Sequence, residues 1–171
     1  MPNLDGFAPI VAKKAKILIL GTMPGVASLE KQQYYGHPRN AFWSVMKALL
    51  AMGSELCYEE RKQVLTNNGI AVWDVLESCA RAGSLDANID MQSIRINRFE
   101  EFFTENNSIK HVFFNGAMAE KLYRTYGLPT LSGKFPYLHY QRLPSTSPAN
   151  ASLNLAQKIE AWQIVTRSMV K

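Results

Sequence analysis

The stretch Lys16-Ile17-Leu18-Ile19-Leu20-Gly21 decides the fold. It is a short apolar run rich in branched side chains, closed by a glycine and too brief for a helix. Such a run reads as a strand buried on both faces. Met23-Pro24-Gly25 follows as a turn. Working outward, two runs of the same kind lie downstream, Ile70-Ala71-Val72-Trp73-Asp74-Val75-Leu76 and His111-Val112-Phe113-Phe114-Asn115-Gly116. Residues 137–143 make a fourth strand candidate.

Between these runs the period changes. Ala41, Phe42, Val45, Met46, Leu49 and Leu50 recur at helical spacing, which predicts a helix starting near Arg39 or Asn40 and ended by Gly53. Residues 59–67 read as a polar helix stopped by Asn68-Gly69. Residues 97–105 and 117–126 read as helices, the second stopped by Gly127 and Pro129. A last helix spans 152–170, with Leu155, Ile159, Trp162 and Val165 on one face. Strands that alternate with helices predict an α/β fold, a three-layer α/β/α sandwich with a mostly parallel, four-stranded central sheet. At 171 residues, the chain suits one domain, 1–171. Ligands of such sheets bind beyond the carboxyl ends of the strands. The polar clusters 22–40, 73–77, 115–116 and 145–150 each follow a predicted strand, so all four can meet in one cleft.

Apolar residues make up 47% and charged residues 19% of the chain, an ordinary globular composition. The net charge of +5 favours polyanionic partners without specifying one. Cys57 and Cys79 form no C-x-x-C pair, and two thiols cannot close a zinc or iron–sulfur site. They read as buried, reduced thiols of a cytoplasmic protein. No signal pattern opens the chain, and its longest apolar runs fall short of a membrane span.

Two blocks carry a specific similarity. Gly21-Thr22-Met23-Pro24-Gly25 with Gln33-Tyr34-Tyr35-Gly36-His37-Pro38-Arg39-Asn40-Ala41-Phe42-Trp43 resembles the first motif of the mismatch-specific uracil/thymine branch of the uracil-DNA glycosylases, and more closely that of the hypoxanthine-DNA glycosylase branch. Leu143-Pro144-Ser145-Thr146-Ser147-Pro148-Ala149-Asn150 resembles the second motif of that branch. The similarity runs over roughly residues 16 to 165. The mismatch-specific branch carries a water-handling Asn where this chain has Met23. Met cannot hold a water usefully, so that role moves or vanishes. The hypoxanthine branch also lacks that Asn and depends on the Asn of a His-Pro-x-Asn segment, which is Asn40 here.

The resemblance implies an enzyme that hydrolyses the N-glycosidic bond of a deaminated base in single- or double-stranded DNA, hypoxanthine first and uracil or xanthine after it. The base is extruded into a pocket, and donors aimed at the departing base anion lower the barrier. Asn40 is the candidate catalytic amide, with helix capping as its competing role. Tyr35 is the candidate stacking ring, against a role as an ordinary packed tyrosine, and Tyr34 is assigned to packing. His37 is read as positioning the loop rather than as an acid. Backbone donors of Thr22, Met23, Pro24 and Gly25 are candidates for the base carbonyl, against a plain turn (Pro24 contributes shape, having no N–H). Asn115 either reads the base edge or caps the next helix. Asp74 is read as a paired structural acid. Ser145, Thr146, Ser147, Pro148, Ala149 and Asn150 are candidate DNA contacts, with Ala149 and Asn150 entering the duplex. Arg39, Lys134 and Arg142 are further phosphate candidates. No lysine is placed as a Schiff-base nucleophile, so simple hydrolysis is expected, without metal or cofactor, in a monomer that binds no membrane. Two alternatives stay open: a non-catalytic nucleic-acid-binding domain on the same fold, and a nucleoside hydrolase, against which the Ser-Pro loop argues.

Overall fold

The computed structural model describes residues 1–169. In chain order the elements are β1 (Asn3–Asp5), β2 (Ile17–Gly21), α1 (Val26–Lys31), α2 (Phe42–Leu50), α3 (Tyr58–Asn67), β3 (Ile70–Asp74), β4 (Leu76–Ala80), β5 (Arg95–Ile96), α4 (Phe99–Glu105), β6 (His111–Asn115), α5 (Ala117–Leu122), β7 (His139–Leu143) and α6 (Leu155–Met169). The central sheet has the order β3-β2-β6-β7, and each neighbouring pair is parallel. In register, Gly21 lies opposite Asp74 and Leu20 opposite Phe114.

Every residue of β2 and β3 is buried, because successive side chains leave a strand on opposite faces and both faces are covered. Leu18, Leu20, Ala71, Trp73, Val112 and Phe114 enter one core, shared with Phe99, Phe102 and Leu122. Ile17, Ile19, Ile70, Val72 and Phe113 enter the other, shared with Phe42, Val45, Met46, Trp162 and Val165. The result is the three-layer α/β/α sandwich. The apolar run of Lys16–Gly21 therefore has a physical cause: like β6 it is a central strand with a neighbour on each edge, and both of its faces are covered. Each fully buried aliphatic side chain there contributes about 1.5–3 kcal/mol.

Several boundaries differ from the sequence expectation. The run 70–76 is two elements. β3 ends at Asp74, the N–H groups of Val75 and Leu76 bond the carbonyls of Gly21 and Thr22, and the chain leaves the sheet. β4 then pairs antiparallel with β1 and β5 in a second, three-stranded sheet that periodicity did not reveal. A short helix α1 follows the Met23-Pro24-Gly25 turn, also unforeseen. α2 starts at Phe42, not at Arg39 or Asn40, and stops at Ala51 (φ 50°), not at Gly53. α5 is regular only to Leu122; it widens into a π-helical turn at Tyr123–Gly127 and runs on into a 3-10 turn at Leu128–Leu131. Gly127 is no stop: its bare Cα admits the ring of Phe99, whose atoms stand 3.3 Å from where a Cβ would lie. Pro129 falls in a first turn, where a missing N–H costs little.

α4 and β7 begin two residues later than expected. α6 begins at Leu155, where the side chains of Asn154 and Gln157 bond each other's backbone N–H at 2.9 Å. Its predicted position 170 lies outside the described residues, and Leu155 is exposed while Trp162 and Val165 are buried. Cys79 is buried, but Cys57 is exposed, as the first cap of α3.

Candidate active site

β2, β3, β6 and β7 end together, and the segments beyond them enclose a cleft of about 840 Å³. Thr22, Met23, Pro24, Gly25, Tyr35, His37, Asn40, Asn115 and the run from Ser145 to Asn150 all line it, so each sequence-predicted site residue reaches the same cavity. Arg39 lines it as well, whereas Arg142 faces Glu120 at 3.7 Å and Lys134 pairs with Glu100, away from the cleft. A second hollow of about 810 Å³ lies between residues 6–11 and α3 and holds none of the predicted residues except Tyr34.

The 33–40 loop is held from several sides. Tyr34 is buried; its hydroxyl donates to the Ala8 carbonyl at 2.9 Å, and its own carbonyl accepts from the Trp43 indole at 2.9 Å. The Gly36 N–H donates to Ser28 Oγ at 2.9 Å, and Lys31 Nζ donates to the Gly36 carbonyl at 2.7 Å. Between these anchors Tyr35 adopts φ 55°, a left-handed conformation that costs a non-glycine residue of order 1–3 kcal/mol. Its ring stacks on Phe42 with centroids 4.0 Å apart and planes at 22°. Packing thus pins the tyrosine in a geometry the free chain avoids. His37 Nδ1 accepts from the Arg39 N–H at 3.0 Å and its carbonyl accepts from the Asn40 N–H at 2.9 Å, so its imidazole shapes the turn. Asn40 Oδ1 accepts from the Phe42 N–H at 3.0 Å, and this bond ends the turn before α2. This contact commits the carbonyl end of the amide and leaves its NH₂ end.

Asn115 and Thr146 form a reciprocal pair. The Asn115 amide donates to Thr146 Oγ1 at 2.9 Å, and the Thr146 N–H donates to Asn115 Oδ1 at 2.9 Å. Thr146 is fully buried, and its carbonyl accepts from the Ala41 N–H. With its N–H, hydroxyl and carbonyl so engaged, Thr146 braces the junction of β6, the second motif and α2. Around it, Ser147 N–H bonds Ser145 Oγ, Ala149 N–H bonds Ser147 Oγ, and Asn150 Nδ2 donates to the Ser145 carbonyl. This self-bonded loop leaves Pro148 and Ala149 exposed at its crest. Gly116 (φ 96°) lets the loop approach, since a Cβ there would stand 3.0 Å from the Ser145 Cβ.

The sequence reading missed the fifth wall, Ser84 to Ala87, which enters from beyond β4. Ser84 Oγ accepts from the Val26 N–H at 2.9 Å and so ties this wall to the start of α1. The polar turn Gly83-Ser84 was the available signal, but nothing local said where it would dock. Asp74 was read as a paired structural acid; among the described residues no basic side chain reaches salt-bridge distance of it, and it lines the cleft. It keeps 4% of its surface, its Oδ2 has no hydrogen-bond partner, and neither does the Tyr35 hydroxyl. Both groups crowd Gly21: a Cβ there would stand 2.6 Å from Asp74 Oδ1 and 3.0 Å from the Tyr35 hydroxyl. Burial, reinforced by Asp86, pushes the Asp74 carboxyl up to about 7, while Arg81 opposes the rise. Burial likewise raises the Tyr35 phenol, with Asp74 adding to it. Asp86 is raised by burial and eased by Thr22 and Arg81. Arg81, wholly buried, donates to the carbonyls of Gly83 and Pro24 at 2.8 and 2.6 Å. One cation therefore sits behind two carboxyls.

Comparison with known proteins gives this arrangement a lineage. The family model described as the uracil DNA glycosylase superfamily matches residues 8–166. A protein of Methanosarcina barkeri described as a hypoxanthine DNA glycosylase is 35% identical over 130 residues, covering 74% of this chain and 81% of the relative. One of Methanosarcina acetivorans with the same description is 32% identical over 166 residues, covering 95% and 97%. The solution structure of a candidate uracil DNA glycosylase from Methanosarcina acetivorans superposes with a TM-score of 0.81 at 30% identity, covering 99% of this chain and all of that one. With its family model spanning nearly the whole sheet and the cleft at its carboxyl edge, the chain belongs to the uracil DNA glycosylase superfamily.

Proposed function

We propose that this chain is a monofunctional DNA glycosylase that hydrolyses the N-glycosidic bond of a deaminated base, hypoxanthine in preference to uracil or xanthine, as the opening step of base excision repair. The observation that carries the reading is the convergence of four separate sequence segments, 21–25, 35–40, 115 and 145–150, around one cleft. The relatives described as hypoxanthine DNA glycosylases support the choice of base.

The extruded base stacks on the face of Tyr35 turned from Phe42, a contact that contributes about 1–3 kcal/mol. Backbone N–H groups of the Thr22-Met23-Pro24-Gly25 turn donate to the base carbonyl. Hypoxanthine offers O6 there, whereas adenine offers an amino group, and two donors facing each other reject the normal base. The NH₂ end of Asn40 donates to the base as negative charge develops on it, which stabilises the transition state more than the ground state. His37 holds that loop in place. Asn115 is fixed by Thr146 with its remaining amide hydrogen and lone pair available to the base edge. Ser145, Ser147 and Pro148 belong to the loop that meets the phosphates, and Ala149 with Asn150 enters the duplex where the base has left. No lysine is among the described residues that line the cleft, which accords with hydrolysis to an abasic site rather than strand cleavage. The reading includes a monomer acting in the cytoplasm, and the free thiols of Cys57 and Cys79 accord with a reducing compartment.

Single-turnover base release from duplexes holding deoxyinosine, deoxyuridine or deoxyxanthosine tests this. Deoxyinosine should react fastest, and Asn40→Ala should slow release about a hundredfold to a thousandfold while the protein stays folded. An Asn40→Ala protein as fast as the parent removes the amide from the chemistry. DNA binding with no release of any of the three bases favours the non-catalytic reading instead.

A further inference from the structure

Hydrolysis needs a nucleophilic water, and the position of the first motif expected to handle it carries Met23, an apolar, buried side chain. An acid stands ready one strand away. Asp74 closes β3 directly opposite Gly21 in the parallel register, so its carboxyl emerges beside the first motif. It is nine-tenths buried and more, it lines the cleft, and its Oδ2 lacks any hydrogen-bond partner. Buried polar atoms in native structures are nearly all partnered, so an orphaned carboxyl oxygen in a cleft points to a partner that arrives with the reaction. The Tyr35 hydroxyl faces the Asn115 side chain but makes no hydrogen bond of ordinary geometry, and it crowds the same Gly21 Cα. One acceptor and one hydroxyl beside each other form a seat for a single water.

We propose that Asp74 is a further catalytic residue, the base that takes a proton from the hydrolytic water, with the Tyr35 hydroxyl as that water's second partner. The proposal rests on the glycosylase reading and deepens it. The C1′–N bond breaks with its electron pair leaving on the base. The water oxygen bonds C1′, one water proton passes to the Asp74 carboxylate, and the base anion takes a proton from solvent. Free base and an abasic deoxyribose result, and Asp74 returns its proton to solvent. Asn40 and Asp74 thereby divide the work, one at the leaving base and one at the entering water.

The surroundings suit the task. Asp86 and Arg81 face Asp74 from beyond β4, and the phenols of Tyr34 and Tyr35 face it from the loop before α2. Burial and Asp86 outweigh Arg81 and bring the carboxyl to about 7, near the working pH at which a general base is most effective.

The test is single-turnover hypoxanthine release from a deoxyinosine duplex between about pH 5.5 and 8.5, the range in which such a base titrates. The wild-type rate should rise about tenfold per pH unit below about 7 and level off above it. Asp74→Asn should lose that rise and release base about a hundredfold more slowly at high pH, with duplex affinity unchanged. Tyr35→Phe keeps the ring and should lower the rate about tenfold while the pH rise persists. A flat wild-type profile, or a folded Asp74→Asn protein at parental rate, overturns the proposal. Should Asp74→Asn fail to fold, Tyr35→Phe at parental rate overturns it. Wild-type protein that releases no base at any pH overturns the glycosylase reading itself, and the proposal with it.

Discussion

Asp74 is an acid kept at a cost. Water would solvate its carboxylate; the cleft floor does not, and Arg81 only partly offsets burial and the neighbouring Asp86. The linkage sign follows from the shift. The folded carboxyl sits near 7 against an ordinary value of 3.8, so the folded state binds the proton more tightly than the unfolded chain. This contribution to stability is fully present below about pH 3.8 and is lost as pH rises through about 7. Chemical denaturation of wild type and Asp74→Asn across that window should show near-equal stability at the acid end. Above pH 7 the variant should be more stable by about 4 kcal/mol. Equal stability at both ends would mean that the carboxyl ionises as freely as in water. Natural sequences retain such destabilising groups where chemistry needs them. The sequence alone did not expose this, because an Asp at the end of an apolar run reads equally well as a paired acid.

Helix ends teach a related lesson. The i, i+3, i+4 pattern of α2 was plain, yet both of its boundaries moved. Its start follows the turn in which Asn40 Oδ1 captures the Phe42 N–H, two residues beyond the later of the predicted positions. Its end is an alanine in the left-handed region, Ala51 at φ 50° and ψ 44°, whose N–H bonds the Lys47 carbonyl. That conformation costs an L-residue about 1–2 kcal/mol, and Ala51 is exposed with no packing to lose. Ala51→Gly should therefore stabilise the protein by about 0.5–1 kcal/mol after the added freedom of the unfolded glycine is deducted. A urea titration reads this as a higher midpoint at constant slope; a lower midpoint would mean that α2 ends elsewhere. The break between β3 and β4 was likewise invisible, since Val75 and Leu76 are as apolar as the strand before them. The competing bonds come from Gly21 and Thr22, some fifty residues away in the chain.

Charge acts across the entire protein. The excess of +5 is modest, and the sequence offered Arg39, Lys134 and Arg142 without ranking them. The fold does rank them: Lys134 and Arg142 face Glu100 and Glu120, while Arg39 lies on the cleft. A DNA footprint centred on the cleft rim and the crest at Pro148 and Ala149 implies about three to five phosphate contacts, so raising salt from about 50 to 200 mM should weaken duplex binding roughly 40- to 500-fold. Fluorescence anisotropy with an abasic duplex measures it, and an affinity indifferent to salt would remove backbone contacts from the reading. Arg39→Ala should flatten the salt slope by about one contact.

Strand identity, layer order and the meeting of loops at the carboxyl edge were all readable from residue order. Burial on both faces demands unbroken apolar runs, and parallel sheets gather their loops at one end. The two motif blocks, which travel as contiguous segments, were readable for the same reason: each is a local object. Partnership is not local. That Thr146 is spent on Asn115, that Ser84 reaches the start of α1, and that Asp74 and Tyr35 stand without partners beside Gly21 all follow from the register of strands far apart in the chain. A hydrogen bond is decided within about half an ångström, a precision that periodicity cannot carry and that close packing of the two cores imposes.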